Sequence, residues 1–279
     1  MDFLGRKLII ATKHHKEKVI GPLVEEHLGS KWFVDENFDT DLLGTFCGEV
    51  ERKNDALHTL RNKCLAAMEK NSCDLGIASE GSFGPHPTLF FAPADDELMV
   101  FIDTKNKLEI YARELSVETN FGGLDIKNLN EAEEFARRHG FPQHALIVKN
   151  HQEDFDYIRK GVNNHEDLKQ CFTDCMENYG SVFLETDMRA MYNPSRMKVI
   201  QKAAIKLMEK ISSKCPECQT PGFGITESFK GLPCELCSFP TQSTLYHQSQ
   251  CSSCGFTSTD YFPNGKKVED PMYCSFCNP

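Results

Sequence analysis

The sequence has none of the short motifs by which common nucleotide-binding and hydrolytic folds are recognised. It contains no P-loop, no dinucleotide-binding glycine fingerprint and no nucleophile elbow. It also lacks any apolar run that approaches the length of a membrane span, which argues against a membrane partner. The first residues carry only a three-residue aliphatic run before a charged stretch, too short for a signal-peptide core. We therefore expect a cytoplasmic protein.

An excess of positive charge is missing as well. The formal net charge is −10, from 31 basic and 41 acidic residues, and residues 212–279 hold four lysines against six acids. Because phosphate binding needs a basic surface, this balance argues against a nucleic-acid partner.

Cysteine, in contrast, is plentiful and paired. Among 13 cysteines, eight form four Cys-x-x-Cys pairs: Cys215 and Cys218, Cys234 and Cys237, Cys251 and Cys254, Cys274 and Cys277. In a reducing compartment such pairs indicate metal binding rather than disulfides. Four thiolates close a zinc tetrahedron and leave no position for water, so we predict two structural zinc ions.

The order in which the pairs combine is a separate prediction. The gaps of 15 residues from Cys218 to Cys234 and 19 from Cys254 to Cys274 suit two sites built from consecutive pairs. We therefore expect the first four cysteines on one ion and the last four on the other. An interleaved pairing is the alternative; so are disulfides or idle thiols, and iron in place of zinc.

Composition divides the chain into two predicted domains. Residues 1–211 alternate apolar runs with amphipathic stretches, whereas residues 212–279 are poor in aliphatic side chains. Strands are predicted at 7–11, 31–34, 74–79, 88–92, 98–103, 108–118, 145–148 and 182–184, and helices near 19–28, 54–70, 131–139, 165–178 and 195–210. The pattern predicts an α/β mixed-sheet sandwich, followed by a double zinc-ribbon module.

A cationic loop follows the first predicted strand. It carries Thr12, Lys13, His14 and Lys16 and leads into a helix N-terminus. Loops after strand ends form the ligand crevice of α/β sheets, and helix N-termini bind anions. This arrangement predicts a phosphate site, with a solvated basic loop as the alternative.

Acidic residues occupy two other glycine-containing segments. Asp39, Asp41 and Glu49 lie before the second helix, and Glu80 ends a predicted strand in the run SEGSFGPHP, which we read as a loop. Carboxylates beside glycine are good ligands for Mg²⁺, which binds one or two carboxylates, water and phosphate oxygens. The alternative is ordinary surface charge.

Histidine and arginine offer two further possibilities for a site. His14, His15 and His86 would suit a transition metal, although ordinary loop histidines are the simpler interpretation. Arg189 and Arg196 lie with Asp187 at a strand-to-helix junction, where they fit either phosphate binding or an internal ion pair.

Several segments resemble those of a bacterial family of unknown function. The similarity runs over nearly the whole chain and is carried by ATKHHKE (11–17), DTDLLGTFCGE (39–49), SEGSFGPHP (79–87), ETDMRAMYNPSRM (185–197) and GLPCELCSFPT (231–241). The resemblance brings no established activity.

Residues 8–103 are also similar, more faintly, to inosine/xanthosine triphosphate pyrophosphatases. That resemblance implies that Thr12, His14 and Lys16 touch phosphate and that Glu49 and Glu80 bind Mg²⁺. The sequence departs from that superfamily at His14, where asparagine is usual, and in its cysteine-rich tail.

The combined prediction is a zinc-binding protein that acts as a Mg²⁺-dependent hydrolase of a phosphorylated small molecule or nucleotide. Glu49 and Glu80, with Asp39 or Asp41, would hold the ion. The alternative is a non-enzymatic zinc-ribbon adaptor that binds protein or nucleic acid. Convergence of the cationic loop and Glu80 on one cleft would favour the enzyme.

Overall fold

The computed structural model describes residues 2–38 and 56–279. The chain divides into two compact units, residues 2–208 and 209–279. Within these described ranges, the first unit contains two sheets and the second contains one. The predicted α/β fold with a mixed sheet is confirmed.

The first sheet has five strands in the order β2-β1-β3-β4-β5. Strand β1 pairs in parallel with β2 and β3, whereas β3–β4 and β4–β5 are antiparallel. The strands are β1 (Lys7–Ala11), β2 (Lys31–Phe33), β3 (Leu75–Pro85), β4 (Pro93–Asp103) and β5 (Leu108–Ser116).

Two helices follow the first two strands, α1 (Glu17–Leu28) after β1 and α2 (Ala56–Lys70) after β2. Leu60, Cys64 and Met68 of α2 pack in one core cluster with β1, β3 and β4. The residues that alternate with this cluster along β1 are buried too, so both faces of the strand are covered. That burial explains why β1 reads as a continuous apolar run.

The second sheet has four strands in the order β6-β9-β7-β8, all antiparallel. Its elements are β6 (Gly123–Ile126), α3 (Leu129–Arg138), β7 (Leu146–His151), β8 (Asp154–Val162), α4 (His165–Tyr179) and β9 (Val182–Thr186). A 3₁₀ turn at Ala190–Tyr192 and helix α5 (Pro194–Ser212) follow. Strands β6 and β8 are absent from the sequence prediction. The first is short and mostly exposed, and the second is rich in charge and pairs through an irregular register.

The segment after residue 79 corrects the sequence prediction. The run expected to be a glycine- and proline-rich loop continues β3 as far as Pro85, and residues 88–92, predicted as a strand, form the connecting turn. Gly81 does not break the strand. A Cβ at this position would overlap the carboxylate of Glu97 and the guanidinium of Arg196, so glycine makes room for a buried ion pair.

The second unit contains a three-stranded antiparallel sheet with β11 in the centre. Its strands are β10 (Gly224–Lys230), β11 (Thr244–Gln250) and β12 (Thr257–Tyr261). No strand of this sheet contains a fully buried residue, and β12 is exposed throughout. Within the described residues, no helix is long and apolar enough to cross a membrane.

Candidate functional site

The eight paired cysteines form two tetrads in the second unit. Site A consists of Cys215, Cys218, Cys251 and Cys254, and site B of Cys234, Cys237, Cys274 and Cys277. The pairs therefore interleave, and the prediction of consecutive pairing is wrong. The reason is the sheet: each of β10, β11 and β12 connects a pair belonging to one site with a pair belonging to the other, so antiparallel strands bring alternate pairs together at each end.

The sulfur positions fit tetrahedral zinc. Sγ–Sγ distances are 3.7 Å for Cys215–Cys254 and 3.5 Å for Cys218–Cys251 in site A. They are 3.9 Å for Cys234–Cys277 and 3.7 Å for Cys237–Cys274 in site B. A Zn–S bond of about 2.3 Å sets about 3.8 Å between sulfurs in a regular tetrahedron. Both sites can hold zinc, and four thiolates would leave no position on the ion for water.

The backbone around each pair forms a tight turn. The residue after the second cysteine donates its N–H to the carbonyl of the first, at 2.9 Å for Gln219, 2.9 Å for Ser238, 3.0 Å for Gly255 and 2.8 Å for Asn278. The first three of these residues have positive φ. Of these three, only Gly255 adopts that conformation without strain, because glycine has no Cβ.

In the first unit, a buried charged cluster lies where β1, β3 and β4 meet α1 and α5. Lys16 Nζ donates to Ser79 Oγ at 3.0 Å and lies 3.6 Å from Glu97 Oε2. Arg196 Nε donates to Glu97 Oε1 at 2.7 Å, and the Arg196 and Glu97 side chains are fully buried. One carboxylate thus pairs with two cations, Lys16 just before α1 and Arg196 in α5.

Lys63 of α2 also belongs to the cluster, because it contacts Ser79 and Glu80 of β3. Its Nζ donates to the Ser79 carbonyl at 2.6 Å and makes a close ion pair with Glu80 Oε1. The Glu80 side chain is mostly buried. Ser79 therefore connects the Lys16–Glu97 pair with the Lys63–Glu80 pair, through its hydroxyl on one side and its carbonyl on the other.

Burial shifts the pKa values of this cluster in opposite directions. Burial lowers the pKa of Lys16 to about 8, against the attraction of Glu97. Burial opposes ionisation of Glu97, but Arg196 and Lys16 outweigh it, so the pKa of Glu97 lies below its usual range. For Asp95, burial and the charge of Glu97 raise the pKa to about 8. Among the described residues, neither Asp95 carboxyl oxygen has a hydrogen-bond partner.

The predicted phosphate residues lie in different environments. Lys16 belongs to the buried cluster, and Thr12 is buried with its Oγ1 donating to the Lys13 carbonyl at 2.8 Å. His14 and His15 both have positive φ, 66° and 64°. Such conformations are uncommon for residues other than glycine, and they set the sharp turn from β1 into α1.

The predicted cation ligands are described only in part. Glu80 lies in the cluster, whereas Asp39, Asp41 and Glu49 lie outside the described residues. His86 Nδ1 accepts N–H bonds from Thr88 and Leu89, at 3.2 and 3.1 Å, and so caps the turn between β3 and β4. In residues 2–38 and 56–279, only the two cysteine tetrads bring three or more metal-ligating side chains together.

The arginine cluster separates into two ion pairs. Arg189 binds Asp187, with Nη2 2.6 Å from Oδ2, whereas Arg196 binds Glu97. Both arginines therefore take part in internal ion pairs, which was one of the two interpretations of this junction.

Sequence reasoning missed Asp95, Glu97 and Lys63. The signal for the first two was the spacing in the run PADDELMVF, because residues two apart on a strand share a face. Lys63 lies among the buried residues of α2, next to Cys64. Lys63 could have been identified from the sequence because it is a charged residue on the apolar face of an amphipathic helix.

A family model described as "Domain of unknown function (DUF6671)" matches residues 63–279. The chain belongs to this family. A search of curated proteins finds no match. The predicted membership of a family of unknown function is confirmed. The bacterial origin and the resemblance to pyrophosphatases stay predictions.

The DUF6671 match divides the candidate residues. All eight cysteines lie within it, as do Lys63, Glu80, Asp95, Glu97 and Arg196. Thr12, Lys13, His14 and Lys16 precede it. The zinc sites and most of the charged cluster are therefore carried by the part of the chain that defines the family.

Proposed function

We propose that this zinc-binding DUF6671 protein is a Mg²⁺-dependent hydrolase of a phosphorylated small molecule, such as a nucleotide. The observation that carries the proposal is the meeting of Lys16 with Ser79 and, through Ser79, with Glu80. Residues 63 positions apart in the chain are joined there by a 3.0 Å hydrogen bond.

Sheet topology supports this site. Strand β1 pairs in parallel with β3, with Ala11 opposite Ala78, so the loop after β1 begins beside Ser79 and Glu80. Ligands of α/β sheets bind at the carboxyl ends of parallel strands, and the loop lies at that end of β1, whereas β3 continues to Pro85. A substrate phosphate bound by Thr12, Lys13, His14 and Lys16 would lie next to the predicted cation ligands.

Each group has a defined task in this proposal. Glu80 is an oxygen ligand of the kind Mg²⁺ prefers, and Glu49 with Asp39 or Asp41 would complete the set. Bound Mg²⁺ would supply a hydroxide nucleophile and neutralise charge on the phosphate. Lys63 makes an ion pair with Glu80, and Lys16 lies on the other side of Ser79. Glu97 and Arg196 position Lys16 from the opposite side.

The test is a phosphate-release screen of nucleoside triphosphates with Mg²⁺, using the full chain. Glu80→Gln should abolish turnover, because the amide keeps the shape but loses the charge that binds the cation. Glu109→Gln is the matched control: this residue lies on β5 of the same sheet and pairs with Arg61 at 2.8 Å. Unchanged turnover in Glu80→Gln, or equal loss in both variants, would contradict the assignment.

A zinc-ribbon adaptor that binds protein is the second candidate. One observation favours it: large apolar side chains are exposed around site B but not in the corresponding turns of site A. If these exposed side chains serve protein binding, a chain in which they have been replaced should keep its full hydrolase activity. That result would separate the binding role from catalysis.

A further inference from the structure

Site B is surrounded by exposed apolar side chains. They are Leu236, Phe239, Met272, Tyr273 and Phe276, whose exposed fractions range from 46% to 74%. We call these five residues the knuckle patch. The rings of Phe239 and Phe276 stack with centroids 5.8 Å apart, which joins the turns of the two cysteine pairs into one surface.

Zinc binding does not require this surface, because site A lacks it. Between the paired cysteines, site A exposes Pro216, Glu217, Ser252 and Ser253. Site B exposes Leu236 and Phe276 at the positions of Glu217 and Ser253. The sulfur distances of the two sites are nevertheless alike. Exposed apolar side chains that the metal site does not need are typical of an interaction surface.

The charge around the patch selects the partner. Segments 232–240 and 266–279 contain three acids, Glu235, Glu269 and Asp270, and two lysines, Lys266 and Lys267. Glu235 and Asp270 are exposed, whereas Glu269 accepts from Ser243 Oγ at 2.5 Å and pairs with Lys266 at 3.4 Å. Four thiolates around one zinc ion add two further negative charges. The patch is therefore apolar in the middle and negative around it.

The negative charge around the knuckle patch argues against three kinds of binding partner. Nucleic acid and anionic membranes would be repelled. A second copy of the chain, with its net charge of −10, would bring more negative charge to the same place. A cationic partner would be attracted.

We propose that the knuckle patch binds a protein segment that presents large apolar side chains flanked by lysine or arginine. Leu236 and Phe276 contact the apolar side chains, and Glu235 and Asp270 face the basic ones. The two exposed apolar residues supply most of the affinity, and the acids steer association and select the partner.

The experiment uses the full zinc-loaded chain and a fluorescent amphipathic peptide of leucine and lysine, with fluorescence anisotropy as the readout. The double variant Leu236→Ser/Phe276→Ser should weaken binding by about tenfold or more, since such anchors dominate interfaces. Both residues are exposed, so zinc content should remain two ions per chain. Glu235→Lys/Asp270→Lys should also weaken binding, mainly through slower association at low salt.

The control is Phe90→Ser/Phe91→Ser, which removes two aromatic side chains that are more exposed than Leu236 and Phe276 from the turn between β3 and β4. Its affinity for the peptide should match that of the parent chain. Equal losses in the two serine doubles would show non-specific apolar binding and overturn the proposal, as would an unchanged Leu236→Ser/Phe276→Ser variant.

Three further probes address the other occupants. A leucine–glutamate peptide, a thymidine oligonucleotide or phosphatidylserine vesicles that bound the knuckle patch more tightly than the leucine–lysine peptide would overturn the proposal. So would a dimer, seen by sedimentation equilibrium, that the Leu236→Ser/Phe276→Ser variant dissociates. None of these outcomes depends on whether the first unit is a hydrolase.

Discussion

The interleaved sites make a quantitative prediction about zinc binding. In the double variant Cys234→Ser/Cys237→Ser, site B loses half its ligands while site A keeps all four. Zinc content should fall from two ions per chain to one. Site A should also bind its remaining ion more weakly, because the first pair of site B lies within the chain loop that site A closes.

The size of this effect follows from that loop. Cys218 and Cys251 are 33 positions apart. Closing a flexible loop of that length costs about 3 kcal/mol. In the intact module, the sheet and site B order this loop in advance. The sheet alone cannot do so, because its strands are largely exposed and small sheets without a core are marginal. The affinity of site A should therefore fall by as much as about a hundredfold.

The assay is zinc competition with a chelator, combined with elemental analysis of stoichiometry. Cys73→Ser/Cys171→Ser is the matched control, since both cysteines lie outside the tetrads and are partly buried. It should retain two ions at the parent affinity. If site A of the Cys234→Ser/Cys237→Ser variant held zinc as tightly as before, the two sites would be independent and the reasoning from loop closure would be refuted.

Three predictions concern the charged cluster, each measured by urea unfolding. Gly81→Ala should destabilise by about 1–3 kcal/mol, because its methyl group overlaps Glu97 and Arg196, whereas Gly84→Ala on the same strand meets nothing within 4 Å and should be near neutral. Arg196→Met should cost about 3–5 kcal/mol by leaving the Glu97 charge poorly compensated; a loss below about 1 kcal/mol would contradict this. Asp95 has its folded pKa raised to about 8, so the folded state binds more protons than the unfolded state above the usual carboxyl pKa. The contribution of Asp95 to the free energy of unfolding is fully present below that ordinary pKa and is lost as the pH rises towards 8. The Asp95→Asn variant should therefore become more stable relative to the parent chain between about pH 5 and pH 8. A stability difference that does not change over this interval would contradict the assignment.

Local sequence patterns correctly predicted the strands and helices whose formation depends on residues close together in the chain. Strand β1 and helix α1 were correct because an apolar run and an amphipathic repeat each specify one kind of burial. The strand at 74–79 was predicted too short because Gly81, Gly84 and Pro85 signal a turn. A glycine in a sequence can mark a turn, or it can mark a place where another side chain packs close to the backbone. Which one applies depends on Glu97 and Arg196, which are distant in the chain.

The cysteine spacing by itself determined that this protein has four metal-binding turns and ligands for two zinc ions, because a Cys-x-x-Cys turn is a local structure. Only the tertiary structure decided which turns share an ion, because antiparallel strands bring together chain ends that are not consecutive. The same holds for the charged cluster. The sequence shows Lys16 and Glu80 as separate charges, and the parallel pairing of β1 with β3 brings them to the two sides of Ser79.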